Sequence, residues 1–205
     1  MSPKGYVIDT LTNVGALIER GVDVELGYVF EAGTDGTVRT DLIGTSMIDY
    51  LTYPIQQLDS SSYNCAGYYG KFCGWPVFKW RHTARVTWGS SRRGLEVSLA
   101  WRYFSPVTLD ALSPNPNLAA PPGQTVANGG ISNTDARLSS RSYFDLSTEV
   151  QLGNRVSFRL GINNLFDKAP PIVGLANGPA TNGNTFASVY DALGRYIFGT
   201  LSAQF

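Results

Sequence analysis

Apolar and polar residues alternate along most of the chain, a period-two pattern that predicts β-strands. In the segment 94–105, the apolar face of the predicted strand holds Leu95, Val97, Leu99, Trp101 and Tyr103. In the segment 36–53, the same pattern places Val38, Leu42, Ile48 and Tyr50 on the apolar face. The pattern predicts about eight strands, at residues 5–12, 17–31, 36–53, 80–90, 94–105, 139–152, 154–167 and 194–205. We therefore expect an all-β, up-and-down antiparallel fold.

The predicted connections alternate between short and long. The segments 31–36, 89–94 and 153–154 have the composition of tight turns, whereas 54–79, 106–138 and 168–193 are long and rich in Pro, Gly, Asn, Ser and Tyr. Every second connection of an up-and-down sheet lies at the same end, so the short turns share one end and the long loops share the other. This layout is typical of an outer-membrane barrel, whose apolar face meets lipid and whose lumen is polar.

Alternation alone also fits a soluble barrel with its apolar face inward, but two further features favour the membrane. The polar faces carry charges of both signs, as a lumen does: Asp23, Glu25, Arg39, Asp41, Arg85, Glu96, Arg102, Asp145, Glu149, Arg155 and Arg159. Aromatic residues gather near strand ends on the apolar face, at the level of interfacial girdles: Tyr28, Phe30, Trp88, Trp101, Tyr103, Phe144 and Phe205. We therefore predict a transmembrane β-barrel segment.

Composition and motifs narrow the function. The chain has 16 basic and 16 acidic residues, and this zero formal charge argues against a nucleic-acid partner. No apolar run approaches the roughly 18 residues of a transmembrane helix. The opening residues "MSPKGYVIDT" lack the apolar core of a signal peptide. P-loop, dinucleotide and G-x-S-x-G motifs are absent from the sequence, so we expect neither an enzyme nor a cofactor.

Two cysteines, Cys65 and Cys73, lie close together in a polar loop. Such a pair is most simply a disulfide, which implies an oxidising compartment. A metal site would need more ligands, and the only histidine in the sequence is His82. We therefore expect a disulfide and no metal.

Five stretches resemble the C-terminal part of TonB-dependent outer-membrane receptors: "GVDVELGY" (21–28), "WRHTARVTW" (80–88), "LAWRYFSP" (99–106), "FRLGINNLFDKAPP" (158–171) and "YDALGRYIFGTLSAQF" (190–205). The order of strand, "NNLFDK", long loop, "YDALGR" and closing strand with a terminal Phe carries most of the resemblance. The loop "NCAGYYGKFCGWP" (64–76) looks like a Cys-paired outer loop in one branch of these receptors. The resemblance covers essentially the whole chain.

The resemblance implies a location in the outer membrane and a function in transport. In the family, a 22-stranded barrel encloses a plug domain and takes up siderophores, cobalamin or carbohydrates with energy from TonB. This chain would supply the last eight strands, without the plug and the TonB-binding segment. Its expected partners are outer-membrane lipid, the plug and remaining strands, the TonB system through the missing N-terminal part, and the barrel-assembly machinery, which would recognise a terminal strand ending in Phe205.

The candidate ligand contacts are aromatic residues of the outer loop: Tyr63, Tyr68, Tyr69 and Trp75. Their rings could stack on a sugar or a siderophore, and packing of the loop explains the same residues. Structural roles are expected for Asn163 and Asn164, which could satisfy backbone groups where strand pairing ends, and for Asp191 and Arg195, which could pair locally.

Two other functions remain open. One is a closed eight-stranded outer-membrane barrel that acts as an anchor or adhesin, with a lumen filled by side chains. The other is a soluble lipocalin-like carrier.

Overall fold

The computed structural model describes residues 15–34, 36–55, 61–90, 92, 94–119, 127–128, 131–153, 155–174 and 183–204. Its strands are β1 (Ala16–Glu31), β2 (Thr37–Tyr53), β3 (Tyr63–Asn64), β4 (Tyr68–Tyr69), β5 (Trp80–Ser90), β6 (Leu95–Phe104), β7 (Val107–Leu109), β8 (Arg137–Leu138), β9 (Arg141–Leu152), β10 (Val156–Asn163) and β11 (Tyr196–Ala203). The helical elements are the short helix α1 (Asn133–Ala136) and a 3-10 turn at Asp110–Leu112, and Ser61 also has 3-10 conformation. The predicted strand 5–12 and the terminal Phe205 lie outside the described residues.

The long strands form one antiparallel sheet in the order β1-β2-β5-β6-β9-β10-β11, and the short strand β3 adds to β2. Each strand pairs with the next long strand along the chain, which confirms the predicted all-β, up-and-down fold. Short connections follow β1, β5 and β9, and long ones follow β2, β6 and β10. The long loops also form a small sheet of their own, in the order β4-β7-β8.

The register of the sheet gathers apolar and polar side chains on opposite faces, because residues directly paired across antiparallel strands share a face. One row across five strands is apolar: Leu26, Leu42, Ala84, Trp101 and Phe144. The next row, on the other face, includes Asp41, Arg85, Ala100 and Asp145. We call these the apolar face and the polar face.

A β-bulge changes the expected faces at the long-loop end of β2. Gly21 pairs with Met47 but Arg20 pairs with Asp49, so Ile48 is an extra residue in β2. An extra residue reverses the alternation of the strand beyond it. The prediction that Tyr50 shares a face with Val38 is therefore wrong: its ring lies on the polar face, where it packs against the cluster containing Tyr63.

The buried core lies over the polar face, at the long-loop end. A larger cluster joins the loops to the sheet: Tyr69, Phe78, Val107, Leu109, Ile131, Leu138, Tyr143, Val173, Phe186 and Tyr190. A smaller one contains Tyr63, Cys65 and Leu118. The apolar face is not used for this core, and many of its large side chains are exposed within the described chain: Leu26 is 61% exposed, Leu160 43% and Leu201 69%.

A close contact between β10 and β11 gives a test of the register. Gly161 lies under the Phe198 ring, and a Cβ on Gly161 would come within 2.3 Å of that ring. Gly199, on the neighbouring strand, has 3.9 Å of clearance. We predict that Gly161→Ala destabilises the protein by about 1–3 kcal/mol through overpacking, whereas Gly199→Ala has little effect.

The measurement is the thermal unfolding midpoint of each variant purified in detergent. Unfolding is followed by the shift in gel migration that accompanies heat denaturation. Equal midpoints for the two variants would contradict the pairing of Gly161 with Phe198.

Candidate functional site

The disulfide loop forms a compact unit attached to the sheet. Cys65 and Cys73 are bonded, with a Cα–Cα distance of 5.5 Å. Inside the loop, the backbones of Gly70 and Gly74 exchange two hydrogen bonds, of 3.1 and 2.7 Å. The Cys65 N–H donates to the Tyr50 carbonyl over 2.9 Å, which fixes the loop to β2.

A buried carboxylate joins this loop to the second long loop. Asp110 Oδ2 accepts hydrogen bonds from the backbone N–H groups of Phe72 (2.7 Å) and Cys73 (3.0 Å). Asp110 is 1% exposed. The hydrogen bonds from these two N–H groups offset the free-energy cost of removing its carboxylate from water. The Asp110 carboxylate lies against Gly70, where a Cβ would come within 2.3 Å of it.

Tyr69 and Asp135 tie all three long loops together. The Tyr69 hydroxyl donates to the Asp135 backbone carbonyl, and Asp135 Oδ1 accepts from the Gly174 N–H over 2.6 Å. Burial, reinforced by the nearby Asp135 carboxylate, raises the pKa of the Tyr69 hydroxyl. Tyr69 therefore remains a neutral donor at neutral pH.

The four aromatic residues predicted as ligand contacts occupy different environments. Tyr69 is 0% exposed and Tyr63 9%, whereas Tyr68 is half-buried and Trp75 is 54% exposed. Tyr63 and Tyr69 pack inside the loop clusters, and ligand contact by these two residues stays a prediction. Trp75 has the accessible surface that the prediction requires.

Trp75 borders a cleft of about 530 Å³ between the loops and the polar face. This volume lies within the range of small-molecule sites, about 300–1,000 Å³. The cleft is lined by four strands of the sheet, the disulfide loop and the loop before β11: Glu19, Thr45, Met47, Tyr50, Cys73, Trp75, Pro76, Val77, Phe78, Arg81, Phe104, Ser188 and Val189. It combines aromatic walls with two charged side chains, Arg81 and Glu19. This cleft is the candidate functional site.

The third long loop is held over the polar face by Arg102. Its guanidinium donates to Asp145 on β9 (2.7 and 3.0 Å) and to Asp191 in the loop (2.9 and 2.6 Å). The same guanidinium lies 5.1 Å from the centre of the Tyr143 ring. The predicted local pairing of Asp191 with Arg195 is wrong, because the Asp191 carboxylate is paired with Arg102. The backbone N–H of Arg195 donates to Asp167 instead.

Asn164 has the structural role expected at the end of β10. Its side chain accepts from the Lys168 N–H (2.8 Å) and donates to the Lys168 carbonyl (3.1 Å). Its own N–H donates to Asp145 Oδ1 over 2.8 Å. Asn164 therefore joins the start of the third loop to the carboxylate that also binds Arg102.

His82 belongs to an aromatic cluster on the apolar face rather than to the cleft. The Trp80 Nε1–H donates to His82 Nδ1 over 2.8 Å, and the imidazole lies 4.5 Å from the Trp101 ring, edge to face. The described residues contain no group of three or more His, Cys, Asp or Glu placed to hold a metal ion. They also contain no helix that is long and apolar enough to cross a membrane.

Comparison with solved structures finds a similar fold in a crystal structure of a mutant ferric enterobactin receptor, PfeA, from Pseudomonas aeruginosa. The two share 15% sequence identity and align with a TM-score of 0.54. The alignment covers 92% of this chain and 22% of the receptor, so the chain spans about a fifth of its length. This similarity establishes a shared fold with part of that receptor. No protein-family model and no curated protein matches the chain.

We predict that Cys65 and Cys73 form a disulfide in protein isolated from cells. Mass spectrometry of a non-reduced digest is expected to show the two cysteine-containing peptides linked and to show them separate after reduction. Two thiols that alkylate without prior reduction would contradict the pairing.

Proposed function

We propose that this chain forms part of the barrel wall of an outer-membrane receptor that takes up a scarce nutrient with energy from TonB. The observation that carries the proposal is the arrangement of the two faces. The loops bury their apolar residues over the polar face, and the apolar face carries a band of exposed side chains with no protein cover among the described residues. A hydrocarbon environment would cover that band.

A soluble lipocalin-like carrier fits this arrangement poorly. Such a protein would pack its apolar face into its own core, and its charges would face water. Here ion pairs and buried loop residues share the polar face, as in the pair Arg159–Glu149 at 2.8 Å. Aromatic residues mark both ends of the apolar band, with Tyr28 and Phe30 near the short turns and Trp101 and Phe144 near the loops.

The edges of the sheet bear on how a barrel would close. In the described part of the chain, β1 and β11 are the two ends of the sheet and do not pair with each other. Unpaired backbone groups are costly in lipid, so both edges would require neighbouring strands. We propose that other strands of the same receptor supply them.

The same proposal assigns the partners. The lipid of the outer membrane would meet the apolar face, and a plug domain would face the polar side. TonB would act through another part of the receptor, and the barrel-assembly machinery would act on its barrel strands. The cleft beside Trp75 would contact the nutrient, whose class would be a siderophore, cobalamin or a carbohydrate.

The test is genetic epistasis in a Gram-negative host that carries the gene. Strains lacking the gene, lacking TonB or lacking both are grown with iron, cobalamin or a carbohydrate as the limiting nutrient. For one nutrient, we predict a growth defect in the gene deletion that is restored by the gene and not worsened by additional loss of TonB.

Equal growth of the deletion and its parent on every limiting medium would contradict the uptake role. An additive defect in the double deletion would contradict its dependence on TonB.

A further inference from the structure

The cleft contains an arginine that the fold does not use. On the polar face, Arg39, Arg102 and Arg159 each form an ion pair, and Arg85 donates a hydrogen bond to Ser98 over 3.0 Å. Arg81 lies on the same face and lines the cleft. Within the described chain, its guanidinium has neither an acidic nor a hydrogen-bonding partner. Its cross-strand neighbours, Thr45 and Phe104, carry no charge.

Aromatic side chains stand next to this unpaired cation. Phe104 is the direct cross-strand partner of Arg81, and it packs against Phe78 with ring centres 5.1 Å apart. The ring of Trp75, on the disulfide loop, lies 6.1 Å from the Phe186 ring, centre to centre, and about half of the Trp75 surface is exposed. The walls of the cleft therefore suit a flat, apolar group close to a positive charge.

Arginine recognises planar anions with particular strength. Its guanidinium presents parallel N–H donors that match the two oxygens of a carboxylate, and it also stacks on aromatic faces. A ring that carries a carboxylate would satisfy both the guanidinium and the aromatic walls. We propose that the cleft binds an aromatic carboxylate, with its anionic group on Arg81 and its ring against Trp75. This inference rests on the proposed function, for which it names the ligand chemistry.

The second charge in the cleft, Glu19, sets the direction of the ligand. Glu19 pairs with Tyr50 and Arg81 pairs with Thr45, so the two charges are separated by five positions along β2. That spacing corresponds to about 15 Å along β2, and the two residues lie on the strands on either side of β2, so they are too far apart for an ion pair. The carboxylate of Glu19 repels an anion from its end of the cleft, so the anionic group of the ligand faces Arg81.

The experiment is isothermal titration calorimetry on the complete gene product, purified from outer membranes in detergent. The probes are salicylate, neutral salicylamide, and cyclohexanecarboxylate, which has the charge without the aromatic ring. We expect salicylate to bind about 10-fold or more tightly than either analogue, because salicylamide lacks the charge that Arg81 would bind and cyclohexanecarboxylate lacks the flat ring that Trp75 would contact.

Variants locate the binding to the cleft. Arg81→Gln is expected to weaken salicylate binding about 10-fold or more, and Arg81→Lys to recover part of the loss. Arg85→Gln is the matched control, since Arg85 lies on the same strand and face but outside the cleft. It is expected to bind salicylate like the parent. Heat-modifiable migration confirms that each variant is folded.

Three results would overturn the inference: no salicylate binding by the parent at millimolar concentration, equal binding of salicylate and salicylamide, or equal losses in Arg81→Gln and Arg85→Gln. None of them bears on the growth test of uptake. The opposite combination is also informative. If salicylate binding depends on Arg81 but deletion of the gene causes no TonB-dependent growth defect, the anion site is supported and the uptake role is rejected.

Discussion

The register of the antiparallel sheet is the constraint on which the rest of the structure depends. Its hydrogen-bonded pairing places every second residue of seven long strands on a common face, so one face becomes a continuous apolar band and the other a mixed array of charges. A protein in water would have to cover the apolar band with its own residues. Here the loops, which contain the buried core, fold over the other side. The two faces therefore differ in what covers them: the loops pack over the polar face, and the apolar band carries exposed side chains in the described chain.

The long loops depend on this sheet but are organised by long-range polar contacts. Asp110 joins the first loop to the second, Asp135 joins the second to the third, and Arg102 joins the third to the wall through Asp191. Each contact holds a carboxylate in hydrogen-bonded surroundings, which compensates for its removal from water. Together with the disulfide, these contacts position Trp75 at the edge of the cleft. The cleft is thus a product of loop packing over a fixed wall.

Local periodicity was enough to predict the sheet from the sequence, because the side-chain alternation of a strand is a property of neighbouring residues. The positions of β1, β2, β5, β6, β9, β10 and β11 follow from it directly. The bulge at Ile48 could not be predicted, since it appears only in the pairing of two strands. Because of this bulge, Tyr50 lies on the polar face instead of the apolar face. Contacts between distant residues were missed for the same reason: Arg102 is separated from Asp191 by 89 positions.

The aromatic loop was recognised, but composition could not distinguish the buried Tyr69 from the exposed Trp75. Arg81 gave no signal in the sequence, because its significance lies in the absence of a partner within the described structure.

The assignment of the apolar face to lipid is the central claim, and a depth-quenching measurement tests it most directly. Leu160 and Arg159 are adjacent in β10 and lie on opposite faces. A fluorophore is attached to a single cysteine at one or the other position, in a background whose native cysteines remain paired, and the protein is reconstituted into bilayers containing lipids with quenchers on their acyl chains. We predict strong quenching at position 160 and little at position 159. Quenching at position 159 with protection at position 160 would show that the faces are reversed, and equal protection at both positions would show that the sheet does not meet lipid.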